Sequence, residues 1–251
     1  MSDIKNILSQ IKALSDTVDV YLPSQKKTVK IKQLTVKQCK ELINMPQNIL
    51  HAQYSFFRKF LSILRENAPE YVDDMNIIDR VSAIITLRAK ALSKYNDIIL
   101  DDIIKLIPSV EYDLIAPVVT TNNYRFILKI PTLLSEDIFN SFIIKHYKLT
   151  KDIKIEEIET LSQEIFGELV IIELCKYISH ITIIKENMEI DMEKLSPLQR
   201  KEIVESIQLD ELKDVVEFNN KVHNVESNYT NYTIGDKNIQ LEIGPDFFVF
   251  I

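Results

Sequence analysis

Apolar positions recur along this chain with two distinct periods. From Val18 to Ile31 the spacing is two: Val18, Val20 and Leu22, then Val29 and Ile31 beyond a Pro-Ser-Gln-Lys-Lys loop. That period puts each set on one face of a strand and predicts a hairpin with one buried side. Thr35-Val-Lys-Gln38 then reads as a capping box. The helix it opens is expected to turn Val36, Cys39, Leu42 and Ile43 inward and to stop before Pro46. Helical spacing returns from about Asn48 to Asn67, with Ile49, Tyr54, Phe56, Phe57, Phe60, Leu61 and Leu64 forming an aromatic-rich core stripe. Ile77, Ile78, Val81, Ile84, Ile85 and Leu92 mark a third helix ending near Lys94.

The remainder mixes short strands with helices. The run from Asp97 to Pro108 is apolar but too short to fix a period, so strand and helix both stay open. Val118-Val119 and Tyr124 to Ile130 flank Thr-Thr-Asn-Asn, predicting a hairpin closed by Pro131 with Tyr124, Phe126, Leu128 and Ile130 on one face. Ser135 is read as the cap of a helix carrying Ile138, Phe139, Phe142, Ile143 and His146, and a longer helix follows from about Ile158 to Ile178. Thr182 to Asp191 fits a small hairpin turning at Glu186-Asn187. Ser196-Pro-Leu-Gln199 is a strong helix start, with two short helices running to about Asn220. The tail from Thr233 returns to strand character and ends Phe247-Phe248-Val249-Phe250-Ile251. Ile4, Ile7, Leu8, Ile11 and Leu14 add an amphipathic N-terminal helix. The predicted class is α+β, mostly helical with several β-hairpins, including a basic N-terminal hairpin and a C-terminal strand tail. A single domain covers 1–251, with a candidate sub-boundary near 67–75 where Ala68-Pro69 breaks the helical pattern.

Composition narrows the function classes. A net charge of -7 argues against general nucleic-acid binding, which needs a basic footprint. No run approaches the roughly 18 apolar residues of a membrane span. Cys39 and Cys175 stand far apart inside helical patterns and read as buried thiols in a reducing compartment. Only Gly167, Gly235 and Gly244 are present, so the glycine loops that cradle phosphates cannot be built. His51, His146, His180 and His223 lack metal-ligand spacing. The acidic pairs Asp73-Asp74, Asp101-Asp102 and Glu156-Glu157 lie at helix edges or polar connections and read as solvated faces. No nucleophile motif is present. No catalytic residue, cofactor or metal ligand is therefore assigned, and no small-molecule substrate is expected.

Two features stand above this background. Lys26, Lys27, Lys30 and Lys32 gather on one hairpin of an acidic protein, either as a docking surface or as a charged edge that resists aggregation. Phe247, Phe248 and Phe250 close the chain and are expected either in its own core or against a partner.

At these two ends the chain resembles the baseplate hub family of T4-type contractile-tailed bacteriophages. The resemblance rests on Leu22-Pro23-Ser24, Lys26-Lys27, Val29 to Leu34 and the helix from Val36 to Ile43. Shorter matches are Thr86-Leu87-Arg88-Ala89, Phe126 to Pro131, Leu195 to Ile207 and the Phe247-Phe248 pair. It implies a non-enzymatic virion protein of the tail baseplate, assembled in the host cytoplasm through contacts with other hub or tape-measure proteins. A transient assembly chaperone absent from the virion is the alternative it leaves open. A tail-associated cell-wall hydrolase, with carboxylates facing across a cleft, is a third reading. Relatives are expected to carry Cys pairs spaced like a zinc knuckle. This chain has Thr121-Asn-Asn and Asn228-Tyr-Thr-Asn231 in those neighbourhoods, so no zinc is carried over.

Overall fold

The computed structural model describes residues 16–44, 49–92, 94–95, 98–147 and 155–249, with side chains outside the description at 49–51, 94–95 and 155–164. The expected N-terminal helix, Phe250 and Ile251 lie outside the described residues. Strands β1 (Thr17–Leu22) and β2 (Lys27–Lys32) form the first hairpin, followed by α1 (Val36–Ile43), α2 (Ile49–Asn67) and α3 (Ile77–Ala91). A two-residue pair, β3 (Lys94–Tyr95) and β4 (Ile98–Ile99), leads into α4 (Leu100–Leu106), which resolves the ambiguous run mainly as helix. Then come β5 (Val118–Thr120), β6 (Tyr124–Leu128), α5 (Leu133–His146), α6 (Ile155–Tyr177), β7 (Ile178–Ile183) and β8 (Met188–Asp191). The chain continues through α7 (Pro197–Glu205), α8 (Lys213–Asn228), β9 (Asn231–Ile234) and β10 (Lys237–Gln240). The fold is α+β. Strands β5-β6-β7-β8 make one antiparallel sheet in that order, so the two hairpins expected from the sequence join into a four-stranded sheet.

The centre of the molecule is α3, buried at every position from Ile77 to Ala89. Such burial suits its apolar residues, but Asp79, Arg80, Ser82, Thr86 and Arg88 are buried with them. A buried polar group without a partner costs about 1–3 kcal/mol, so each such side chain has to find one. Four of them find partners on other elements. Asp79 meets the turn of the first hairpin, and Ser82 Oγ donates to the Tyr21 carbonyl at 2.5 Å. Arg80 reaches α5 and α8, and Arg88 Nε donates to the Phe247 carbonyl at 2.6 Å. The helix therefore fixes the register of its neighbours with polar bonds and fills the space between with apolar packing.

Local details follow the expected chemistry with four corrections. The Thr35–Gln38 and Ser196–Gln199 capping boxes form, and Asn76 makes a third with Asp79 that opens α3. The cap of α5 is Thr132, whose hydroxyl accepts from the Ser135 amide; Ser135 itself lies inside the helix. Val36 faces solvent at 68% exposure because it occupies the first turn of α1, away from the buried Cys39 and Leu42. α8 runs on to Asn228, beyond the expected end near Asn220.

The last correction concerns the tail. β9 and β10 pair around Gly235, whose φ of 60° suits a residue without a side chain. The aromatic end is not a strand: Pro245 fixes φ and starts a 3-10 turn over Pro245–Phe248. That turn drives Phe247 and Phe248 to 0% exposure, so of the two placements expected for them the chain's own core holds, and their candidacy as partner-interface residues is corrected. Phe248 packs 6.0 Å from the Phe56 ring and 5.8 Å from Phe247. Phe248→Ala should therefore cost about 3–5 kcal/mol. Urea unfolding would read this as a lower midpoint at unchanged slope.

Candidate functional site

The lysine hairpin is built from a strict inside-outside alternation. Val18 lies opposite Ile31 and Val20 opposite Val29, and all four are buried. On the outer face Lys30 lies opposite Asp19 and Lys32 opposite Thr17. Leu22-Pro23-Ser24 then turns the chain: Pro23 is buried at the first position of a 3-10 turn, Pro23–Gln25. Ser24 is the fixing point. Its amide donates to Asp79 Oδ1 at 2.9 Å, and its hydroxyl donates to Oδ2 of the same carboxylate. The Asn76 amide donates to Oδ2 at 3.0 Å, so one carboxylate caps α3 and holds the turn. Burial pushes the Asp79 carboxyl up, and the donors from Ser24 and Asn76 oppose that shift.

Lys26 completes the turn in the left-handed region, at φ 48°. That conformation costs a residue with a side chain roughly 1–2 kcal/mol, and the pinned ends of the hairpin hold it. Lys26, Lys27, Lys30 and Lys32 are all exposed. Lys27 Nζ stands 5.7 Å from the Tyr71 ring centroid, and among the described residues none of the four ammonium groups has a carboxylate within 4 Å. Four exposed cations on one hairpin can bind carboxylates or other anions.

A second constellation escaped the sequence reading. Helices α2, α3, α5, α6 and α8 converge on a cleft of about 320 Å³ walled by Tyr54, Phe57 and Tyr177. At its floor Arg80 pairs with Glu136 and, at 3.1 Å, with Glu226, while its guanidinium stacks on Phe57 with the carbon 3.5 Å from the ring centroid. Lys176 bonds Glu173 at 2.6 Å, and Tyr177 donates to the other Glu173 oxygen at 3.3 Å. At the mouth His223 sits 3.6 Å from Glu226 and 3.7 Å from Glu173. Arg80 was the available signal, since it interrupts the apolar stripe of a helix otherwise read as core.

The electrostatics of this cleft are those of compensated charge. Burial works against the Arg80 and Lys176 cations, but their glutamate partners outweigh it and raise both. Burial likewise pushes Glu226 up, and His223 and Arg80 together overcome it, leaving the carboxyl below its ordinary range. A general acid of the glycosidase type needs the opposite, a carboxyl held above that range. Glu136, Glu173 and Glu226 are each ion-paired to Arg80 or Lys176.

The remaining candidates are dispersed. Cys39 and Cys175 are buried free thiols, and burial pushes Cys175 up to about 12, the reverse of an activated nucleophile. His180 lies 3.8 Å from Asp191, and His146 packs on Phe142. Among the described residues no three His, Cys, Asp or Glu side chains are grouped to hold a metal, and no helix is long and apolar enough to cross a membrane. Comparison of the chain with protein-family models, with curated proteins and with solved structures gave no match.

The cleft makes stability depend on pH. The Glu226 carboxylate 3.6 Å away raises the His223 pKa above its ordinary 6.5, burial opposes that, and the Glu173 charge adds to the rise. A group raised on folding stabilises fully below its unfolded pKa, and that contribution is lost as pH rises through the folded value. The protein should therefore be more stable near pH 6 than near pH 8. With the imidazole 46% exposed, the His223 share is about a few tenths of a kcal/mol. His223→Gln should flatten this part of the pH profile in thermal unfolding, and an unaltered profile would assign it elsewhere.

Proposed function

We propose that this chain is a non-enzymatic structural or assembly component of a contractile-tail baseplate hub, and that it works through protein–protein contacts. One observation carries the reading. Four exposed ammonium groups, without a carboxylate partner among the described residues, stand on a hairpin whose turn is pinned to the central helix through Ser24 and Asp79. A backbone turn already fixed before binding need not be ordered on docking, and the positive charge it presents favours recognition of an acidic surface. The same Leu22-Pro23-Ser24 segment is the best-preserved part of the family resemblance, and its serine has a definite structural task. Placement in the virion tail and contact with hub or tape-measure proteins belong to this proposal.

Reversing all four charges (K26E/K27E/K30E/K32E) should abolish co-purification with baseplate proteins while the circular dichroism spectrum stays that of the wild type. Undiminished co-purification would overturn the proposal. Mass spectrometry of purified particles then separates its two forms: stoichiometric recovery marks a hub subunit, and absence marks an assembly chaperone.

A further inference from the structure

The lysine strip has a neighbour of opposite sign. Residues 66–74 run alongside β2 in the opposite direction and are tied to the hairpin at both ends. At one end Asn67 Nδ2 donates to the Lys32 carbonyl at 3.1 Å. At the other, Gln25 Nε2 donates to the Asp74 carbonyl at 3.2 Å, and Lys27 lies over Tyr71. The segment carries Glu66, Glu70, Asp73 and Asp74, all exposed. Glu66 accepts a hydrogen bond from Gln38, and among the described residues none of these four carboxylates has a cation within 4 Å. The two segments thus form adjacent strips of chain, one bearing four exposed ammonium groups and the other four exposed carboxylates, with no ion pair between them among the described residues.

We propose that this two-strip face binds a second copy of the chain about a two-fold axis lying between the strips, the lysines of each copy over the carboxylates of the other. The proposal rests on reading the hairpin as a docking surface, and it names the partner. Two-fold association requires a patch complementary to itself, and side-by-side strips of opposite charge meet that condition. A nucleic acid, an anionic membrane or a uniformly acidic protein would meet like charge over half of the face, which disfavours it. Tyr71, half-buried between the strips, and the exposed Pro69 supply apolar contact near the axis.

The test uses the full chain alone, by sedimentation equilibrium with light scattering. The wild type should be dimeric, with its dissociation constant rising about tenfold or more from low to high salt. The variant K26E/K27E/K30E/K32E and the variant E70K/D73K/D74K should each be monomeric. Mixed in equal amounts they should form a heterodimer, since one then presents only acidic strips and the other strips that are basic except at Glu66. A monomeric wild type at low salt, or variants that dimerise as the wild type does, would overturn the inference, as would failure of the mixture to associate. Because no baseplate protein is present, this failure is distinct from that of the functional proposal. A monomer whose lysines still direct co-purification would remove the dimer and leave the hub reading in place.

Discussion

The structure depends on one buried carboxylate. Asp79 lies fully inside the protein and accepts hydrogen bonds from the Asn76 amide, the Ser24 amide and the Ser24 hydroxyl. The first of these starts α3, and the other two hold the hairpin turn against that start. A carboxylate in this position costs several kcal/mol in desolvation unless donors surround it. Ser24 can supply its two donors only when helix and hairpin are in their native relation. One costly group thereby makes two elements, distant in sequence, conditional on each other.

The same logic extends along α3. Arg80, Ser82 and Arg88 repeat it toward α5 and α8, toward β1 and toward the C-terminal turn. A buried ion pair such as that of Arg80 adds little net stability over apolar packing, but breaking it costs about 3–5 kcal/mol because a charge is left behind. The contribution of such contacts is to arrangement. A helix with only apolar sides could rotate or slide against its neighbours, whereas one with four polar contacts in four directions has a single seat. The aromatic C-terminus gains its place by this means, since the Phe247 carbonyl is bound by Arg88 while both rings fill the core.

Much of this order was legible in the sequence, and the limits have physical reasons. Alternation in β1 and β2 fixed which side of the hairpin is wet, and two capping boxes gave helix starts directly. The polar residues of α3 were passed over because periodicity registers apolar positions and ignores a charge between them, although Arg80 and Arg88 in a buried stripe mark tertiary pairing. The cleft assembles from five helices, so no local spacing announces it. Val36 shows the reverse: its apolar character predicts an inward position, yet at the first position of α1 it is exposed. The strand character of the tail holds in β9 and β10, while Pro245 turns its aromatic end into a 3-10 turn. Local chemistry is readable where its partners are neighbours in sequence, as with Thr35 and Gln38, and not where they lie 55 residues apart, as with Ser24 and Asp79.

The most direct measurement is amide hydrogen exchange at Ser24. If Asp79 couples the turn to α3, the Ser24 amide opens only when the central helix does, and it should exchange as slowly as the slowest amides of α3. Exchange at the rate of a freely solvated turn would contradict that coupling, and with it the rigid platform on which the four lysines are presented.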